Sequence, residues 1–168
     1  MTARVIGIDV GLSGACAMLG TNGMGLPPHL LDVADLPVMA KGSGSGKVKN
    51  EINPAALNEL LKEWVHGFSD DVLVVVESVS AMPGQGVAGV FSLGDSRGAI
   101  RGVLAARGYP VAFVSPGKWK RHFGLTADKE LARARAIQLY PQAELARKKD
   151  ADRAEAILVA RYGWEVLR

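Results

Sequence analysis

The chain has 168 residues, 48% hydrophobic and 22% charged, with a net charge of +3 and one cysteine. This length fits one domain spanning residues 1–168, and the apolar share supports a sizeable core without disulfide staples. A disordered composition and an internal disulfide framework are excluded, and no run approaches the ~18 apolar residues of a membrane span. The mild basic excess suits a nucleic-acid partner without requiring one, because the layout of charge matters more than its sum. No secretory signal is expected, since the N-terminus enters a strand pattern at once. Cys16 lies in an apolar run and is read as a small buried residue in a reducing cytoplasm.

In chain order, Arg4 to Ile8 reads as a buried strand ending at Asp9, followed by a turn at Gly11, Ser13 and Gly14. Ala15 to Leu19 returns as a second strand, Asn22-Gly23 marks a turn, and Leu30 to Leu36 gives a third strand of an antiparallel meander. Lys41 to Asn50 is Gly/Ser-rich and basic and reads as a mobile loop. It fails as a phosphate-binding loop: the glycine spacing is wrong, Val48 stands where Ser or Thr is needed, and no strand precedes it. Asn53-Pro54 starts a helix that runs to about Val65, with His66 at the surface near its end. Val72 to Val76 is the expected central strand, covered on both faces and ending at Glu77. After a loop at Pro83 to Gly86, a long helix is expected from Gly86 to Arg107. It carries Gly94, Gly98 and Gly102 on one ridge, which points to another helix or backbone approaching closely. A strand at Pro110 to Val114 and helices at Lys118–Phe123, Asp128–Tyr140 and Asp150–Trp164 complete the chain. The order predicts an α/β fold with an antiparallel hairpin edge and helical crossovers.

Charge at the end of a buried strand needs a reason, because an unpartnered buried carboxylate is costly. Asp9 and Glu77 each end an apolar strand; if these strands are central and parallel, both acids emerge at one edge of the sheet, where open α/β sheets place their sites. Asp152 and Glu155 are three apart and share one helix face, whereas Asp150 points elsewhere on a regular helix. Any one of these acids alone reads equally as a turn or first-turn residue. Together they form an oxygen-rich set suited to Mg2+ or Mn2+, and a pair of such ions can activate a water and stabilise a leaving oxygen of a phosphodiester.

Gly-Ile-Asp-Val-Gly at 7–11, Val-Val-Val-Glu at 74–77, Ser-Pro-Gly-Lys-Trp-Lys at 115–120, Lys129 before a helix, and Asp-Arg-Ala-Glu-Ala at 152–156 resemble the motifs of RuvC-type Holliday junction resolvases, in particular the phage-type branch. The resemblance runs over nearly the whole chain. It implies a ribonuclease H-like fold, a five-stranded mixed sheet flanked by helices. It also implies a homodimer on a four-way DNA junction, each subunit nicking one strand to leave a 5′-phosphate and a 3′-hydroxyl. It implies a cytoplasmic location, in a bacterial cell or a phage-infected host. Asp9, Glu77, Asp152 and Glu155 would hold two Mg2+ ions, with Mn2+ as a substitute, and Lys120 and Lys129 would be the active-site lysines. The family usually has aspartate where Glu155 stands, so Asp150 stays open as a substitute ligand. Ser80 stands where well-studied members carry an aromatic residue, so base stacking is either lost or moved to Phe91 or Met82.

Lys118, Lys120, Arg121 and His122 cluster around Trp119, itself read as core, and Lys148 and Lys149 precede the acidic helix. DNA phosphates explain such groups, although a solvated face explains each cation in isolation. Gln85, opening the long helix, is a further DNA-facing candidate through backbone amides, against an ordinary strand-to-helix turn. The glycine ridge is also expected to contribute to the dimer. Competing functions are a junction-binding module without catalysis, favoured only by Glu155, and a ribonuclease H-like nuclease acting on RNA–DNA hybrids or flaps. An actin-like ATPase needs two such domains and 168 residues supply one.

Overall fold

Three consecutive strands near the N-terminus build half of the central sheet in a computed structural model that describes residues 3–21, 26–42, 49–65 and 71–168. The Asn22-Gly23 turn, the Gly-Ser run at 43–48 and His66 lie outside the described residues. Strand β1 (Ala3–Asp9) pairs antiparallel with β2 (Ala15–Thr21), which pairs antiparallel with β3 (His29–Asp35). On its other side β1 runs parallel to β6 (Asp71–Glu77), which runs parallel to β7 (Val111–Val114). The sheet is five-stranded and mixed, as expected, in the order β3-β2-β1-β6-β7, so that β1 is the central strand and β6 lies beside it.

Two short strands were not legible in sequence: β4 (Val38–Ala40) and β5 (Asn50–Ile52) form a separate antiparallel ribbon at the flanks of the segment expected to be loop. Three residues are too few to show a period of two. Helix α1 (Pro54–Trp64) starts as expected, with the Asn53 side chain accepting from the Ala56 amide. Helices α2 (Val87–Arg107), α3 (Pro116–His122), α4 (Lys129–Leu139) and α5 (Ala151–Tyr162) follow. Asp128 caps α4 through the Glu130 amide, and Gly108, at φ 68°, ends α2 in the left-handed conformation that glycine adopts freely. The last helix is not continuous over 150–164. A 3-10 turn at Lys148–Asp150 precedes it and a wide π turn at Gly163–Leu167 follows, because Asp150 is tied back to Arg147 and Gly163 is pressed against Val75.

Alternation along the strands sorts the core into two layers. Val5, Ala15, Ala17, Leu19 and Val75 pack with α5, α4 and Trp119 of α3. Ile6, Ile8, Cys16, Met18, Val74 and Val76 pack with α1 and α2. Cys16 is fully buried, and burial pushes its thiol up to about 12. By the same parity, Asp9 and Glu77 belong to the face that carries α5. That helix lies unusually close: a Cβ on Gly7 would stand 2.3 Å from the Ala156 carbonyl oxygen and the Ala160 amide nitrogen. The expected close approach to Gly94, Gly98 and Gly102 is absent, since a Cβ on any of them meets nothing within 4 Å among the described residues. That ridge faces outward because α2 packs through Ser96, Ile100, Val103 and Leu104 instead. Among the described residues no helix is long and apolar enough to cross a membrane.

Candidate active site

Asp9 leaves the C-terminal end of β1 on the α5 side, and α5 presents Asp152 and Glu155 one turn apart to meet it. One carboxylate oxygen from each of the three acids lies within 4.8 Å of the others. Asp9 is 9% exposed and Glu155 4%, so this is charge assembled at the edge of the core. Burial, and then the neighbouring charges of Glu77, Glu155 and Asp152, push the Asp9 carboxyl well above its ordinary range.

Glu77, at the end of β6, lies outside that three-oxygen group but is electrostatically coupled to it. Burial raises its carboxyl first and the Glu155 charge second, and a hydrogen bond from Trp119 works against both. In that bond the Trp119 indole Nε1 donates to Glu77 Oε2 at 3.1 Å. Trp119 is core, as expected despite the cations around it in sequence, with no exposed surface. Its contact with the acid was missed in sequence. The available signal is that a buried indole N–H needs an acceptor, but nothing local says which one.

Two lysines close the site. Lys120, from α3, places its ammonium 2.7 Å from Glu155 Oε1. Lys129, the first residue of α4, hydrogen-bonds Asp152 and stands 3.5 Å from Glu155 Oε2. Burial pulls the Lys129 ammonium down, and the bond to Asp152 with the surrounding carboxylates lifts it above its usual value. Glu155 thus has a lysine on each of its two oxygens, one from α3 and one from α4.

The remaining candidates sit farther out. Asp150 does not join the cluster: it accepts from the Arg147 amide at 2.8 Å and from the Arg147 guanidinium at 2.7 Å, which holds its carboxyl down at about 2. It is a clamp on the turn before α5, so the substitute-ligand reading is withdrawn. Lys118 and Arg121 are exposed on α3, and Lys148 and Lys149 are exposed on the 3-10 turn leading into α5. Gln85 is exposed, but its side chain accepts from the Met82 amide and its own amide donates to the Met82 carbonyl, so it closes the turn before α2. Phe91 and Met82 are 68% and 64% exposed, available for stacking as far as burial decides it. Arg153, between the two acids of α5, grips Asp35 at the end of β3 with two hydrogen bonds, which ties the acidic helix to the sheet's far edge.

Hard oxygen donors, buried and converging, fit a divalent cation such as Mg2+ or Mn2+. Among the described residues the buried Glu155 Oε1 is neutralised only by the Lys120 ammonium at 2.7 Å, and no neutral donor competes with a cation for it. Three or four carboxylates at one buried edge repel each other strongly, and a cation offsets that repulsion more fully than two peripheral lysines do.

A five-stranded mixed sheet of this order, with an acidic helix laid across the ends of its central strands, is the ribonuclease H-like fold. Among solved structures the chain is similar to RuvC of Thermus thermophilus in complex with a Holliday junction substrate, at 17% identity, TM-score 0.61, 97% of this chain and 96% of that one. A second T. thermophilus RuvC structure matches at 19% identity and TM-score 0.53, over 96% and 95% of the two chains. These are structures of the group whose motifs the sequence resembles, and at such identities the likeness establishes the fold. No protein-family model and no curated protein matches the chain.

Proposed function

We propose that the chain is a divalent-metal-dependent endonuclease that resolves four-way DNA junctions by paired nicks. The observation that carries this reading is the convergence of Asp9, Asp152 and Glu155 oxygens within 4.8 Å at the end of a central strand. Asp9, Glu77, Asp152 and Glu155 would hold the metal. Two bound Mg2+ ions, or Mn2+ in their place, would supply activation of a water and stabilisation of the leaving oxygen. The chain's own groups do the rest. Lys120 and Lys129, both paired with the carboxylates, are the ammoniums placed to stabilise the developing charge of a scissile phosphate. Lys118, Arg121, Lys148 and Lys149 offer exposed cations to flanking phosphates.

The glycine ridge of α2 supports a homodimer. Val87 and Phe91 are exposed at 87% and 68%, and with Gly94, Gly98 and Gly102 they form one outward stripe at helical spacing. A second copy covering this stripe would place two sites on one junction. Glu155 groups with Asp9 and Asp152 despite its extra methylene, which supports the catalytic reading over a binding module without catalysis.

The substrate class is tested by competition. In Mg2+, a labelled four-way junction should be cut with paired nicks and should survive an excess of unlabelled linear duplex or RNA–DNA hybrid. Preferential cutting of the hybrid would move the assignment to a ribonuclease H-like nuclease of other specificity.

A further inference from the structure

We propose that Trp119 is a positioning residue of the metal centre, holding Glu77 by its indole edge and Lys120 by its ring face. The proposal rests on reading the carboxylates as metal ligands. The indole is fully buried, and its only polar atom donates to Glu77 Oε2 at 3.1 Å. An indole N–H can donate but not accept, so this bond ties one Glu77 oxygen, Oε2, to the ring edge. The Lys120 ammonium sits 5.0 Å from the centroid of the same ring, in the range of cation–π attraction, while facing Glu155 Oε1 at 2.7 Å. One rigid side chain with two torsions thus sets the spacing between a strand-end acid on β6 and a lysine on α3. Burial among Val114, Ala132 and Ala136 locks its rotamer.

Trp64 supplies an internal control. It is 5% exposed and its indole donates to Asp32 at 2.8 Å, on the opposite face of the sheet and away from the acidic cluster. Replacing either tryptophan by phenylalanine removes one buried hydrogen bond and keeps most of the apolar volume. Only Trp119→Phe should affect the metal.

The experiment is calorimetric titration of the DNA-free protein with Mn2+, for wild type, Trp119→Phe and Trp64→Phe, with thermal unfolding of each. Partners that orient metal ligands are worth about 10–100-fold in affinity, so Trp119→Phe should bind Mn2+ at least about tenfold more weakly while Trp64→Phe stays within about twofold of wild type. Equal affinity in wild type and Trp119→Phe overturns the positioning role alone. A wild type that binds no Mn2+ overturns the metal-centre reading and this proposal together. Should Trp119→Phe fail to fold, the wild type still decides the matter. Adding Mg2+ to 15N-labelled protein should shift the Trp119 indole N–H signal and leave that of Trp64 in place; an unmoved Trp119 signal overturns the proposal.

Discussion

On one face of the sheet α5 lies so close to β1 that a Cβ on Gly7 would stand 2.3 Å from two backbone atoms of the helix. On the other face α2 carries Gly94, Gly98 and Gly102, and a Cβ on any of them would meet nothing within 4 Å among the described residues. Glycine inside a helix costs about 1 kcal/mol against alanine, so a row of three needs a return. For Gly7 the return is internal: the helix that bears Asp152 and Glu155 is pressed onto the strand that ends in Asp9. For the α2 ridge no return lies within the described chain, which is why a second copy is proposed there. Glycine marks close approach in both cases, but only the structure says whether the approaching backbone belongs to the same chain.

The comparison can be broken most directly at its two ends. Gly7→Ala forces backbone against backbone, where no flexible side chain can yield, and should cost about 3 kcal/mol or more, read as a drop in the urea midpoint. Gly98→Ala adds its methyl to space open within the chain and, at concentrations where the protein is monomeric, should leave the unfolding free energy equal or raise it by up to about 1 kcal/mol. Similar losses at both positions would refute the contrast.

A smaller effect sharpens what close packing does to the acids. Asp9 is held protonated above its ordinary value of 3.8 by burial and by Glu77, Glu155 and Asp152. The folded state therefore binds its proton more tightly than the unfolded state does. Metal-free stability attributable to Asp9 is intact below the ordinary value and is lost as pH rises toward the raised one. At neutral pH, Asp9→Asn measured without metal should therefore unfold at a higher temperature than wild type. Saturating Mn2+ should reverse the order, because ligand binding stabilises only the form that binds. A wild type that outranks Asp9→Asn without metal would contradict the strained-cluster account.

The smallest effect on stability is expected on the α2 ridge. Gly98→Glu should change the unfolding free energy by about 1 kcal/mol or less, at the level of helix propensity. Its mass in solution should nonetheless fall from dimer to monomer. A wild type that is monomeric at every concentration would remove the reason offered for the ridge.

Much of this architecture could be read before the structure. Asp9 and Glu77 stand out because each puts a charge at the end of an apolar run, and the period of two then places both on the α5 face. Asp152 and Glu155 stand out by helical spacing. The antiparallel meander and the helical crossovers were read from the residues, and the five-stranded mixed sheet from the resemblance, whereas the strand order comes from the structure. What escaped were relations across long separations. Trp119 finds Glu77 42 positions away, and Asp150 is claimed by Arg147 rather than by the cluster. The ribbon of β4 and β5 escaped because three-residue strands carry no periodic signal. The glycine ridge was seen, but packing inside the chain and a contribution to a dimer were both expected of it, since spacing reveals that a surface is smooth and not what lies against it.

The central claim is that the Asp9, Asp152 and Glu155 cluster cuts DNA through a bound divalent metal. The most direct test is single-turnover cleavage of a synthetic four-way junction by wild type and Asp9→Asn, each with Mg2+ and with the metal chelated. The account predicts nicks by wild type in Mg2+ only, with Asp9→Asn still binding the junction but leaving it whole. Cutting that persists after chelation, or that proceeds at the normal rate in Asp9→Asn, would contradict it.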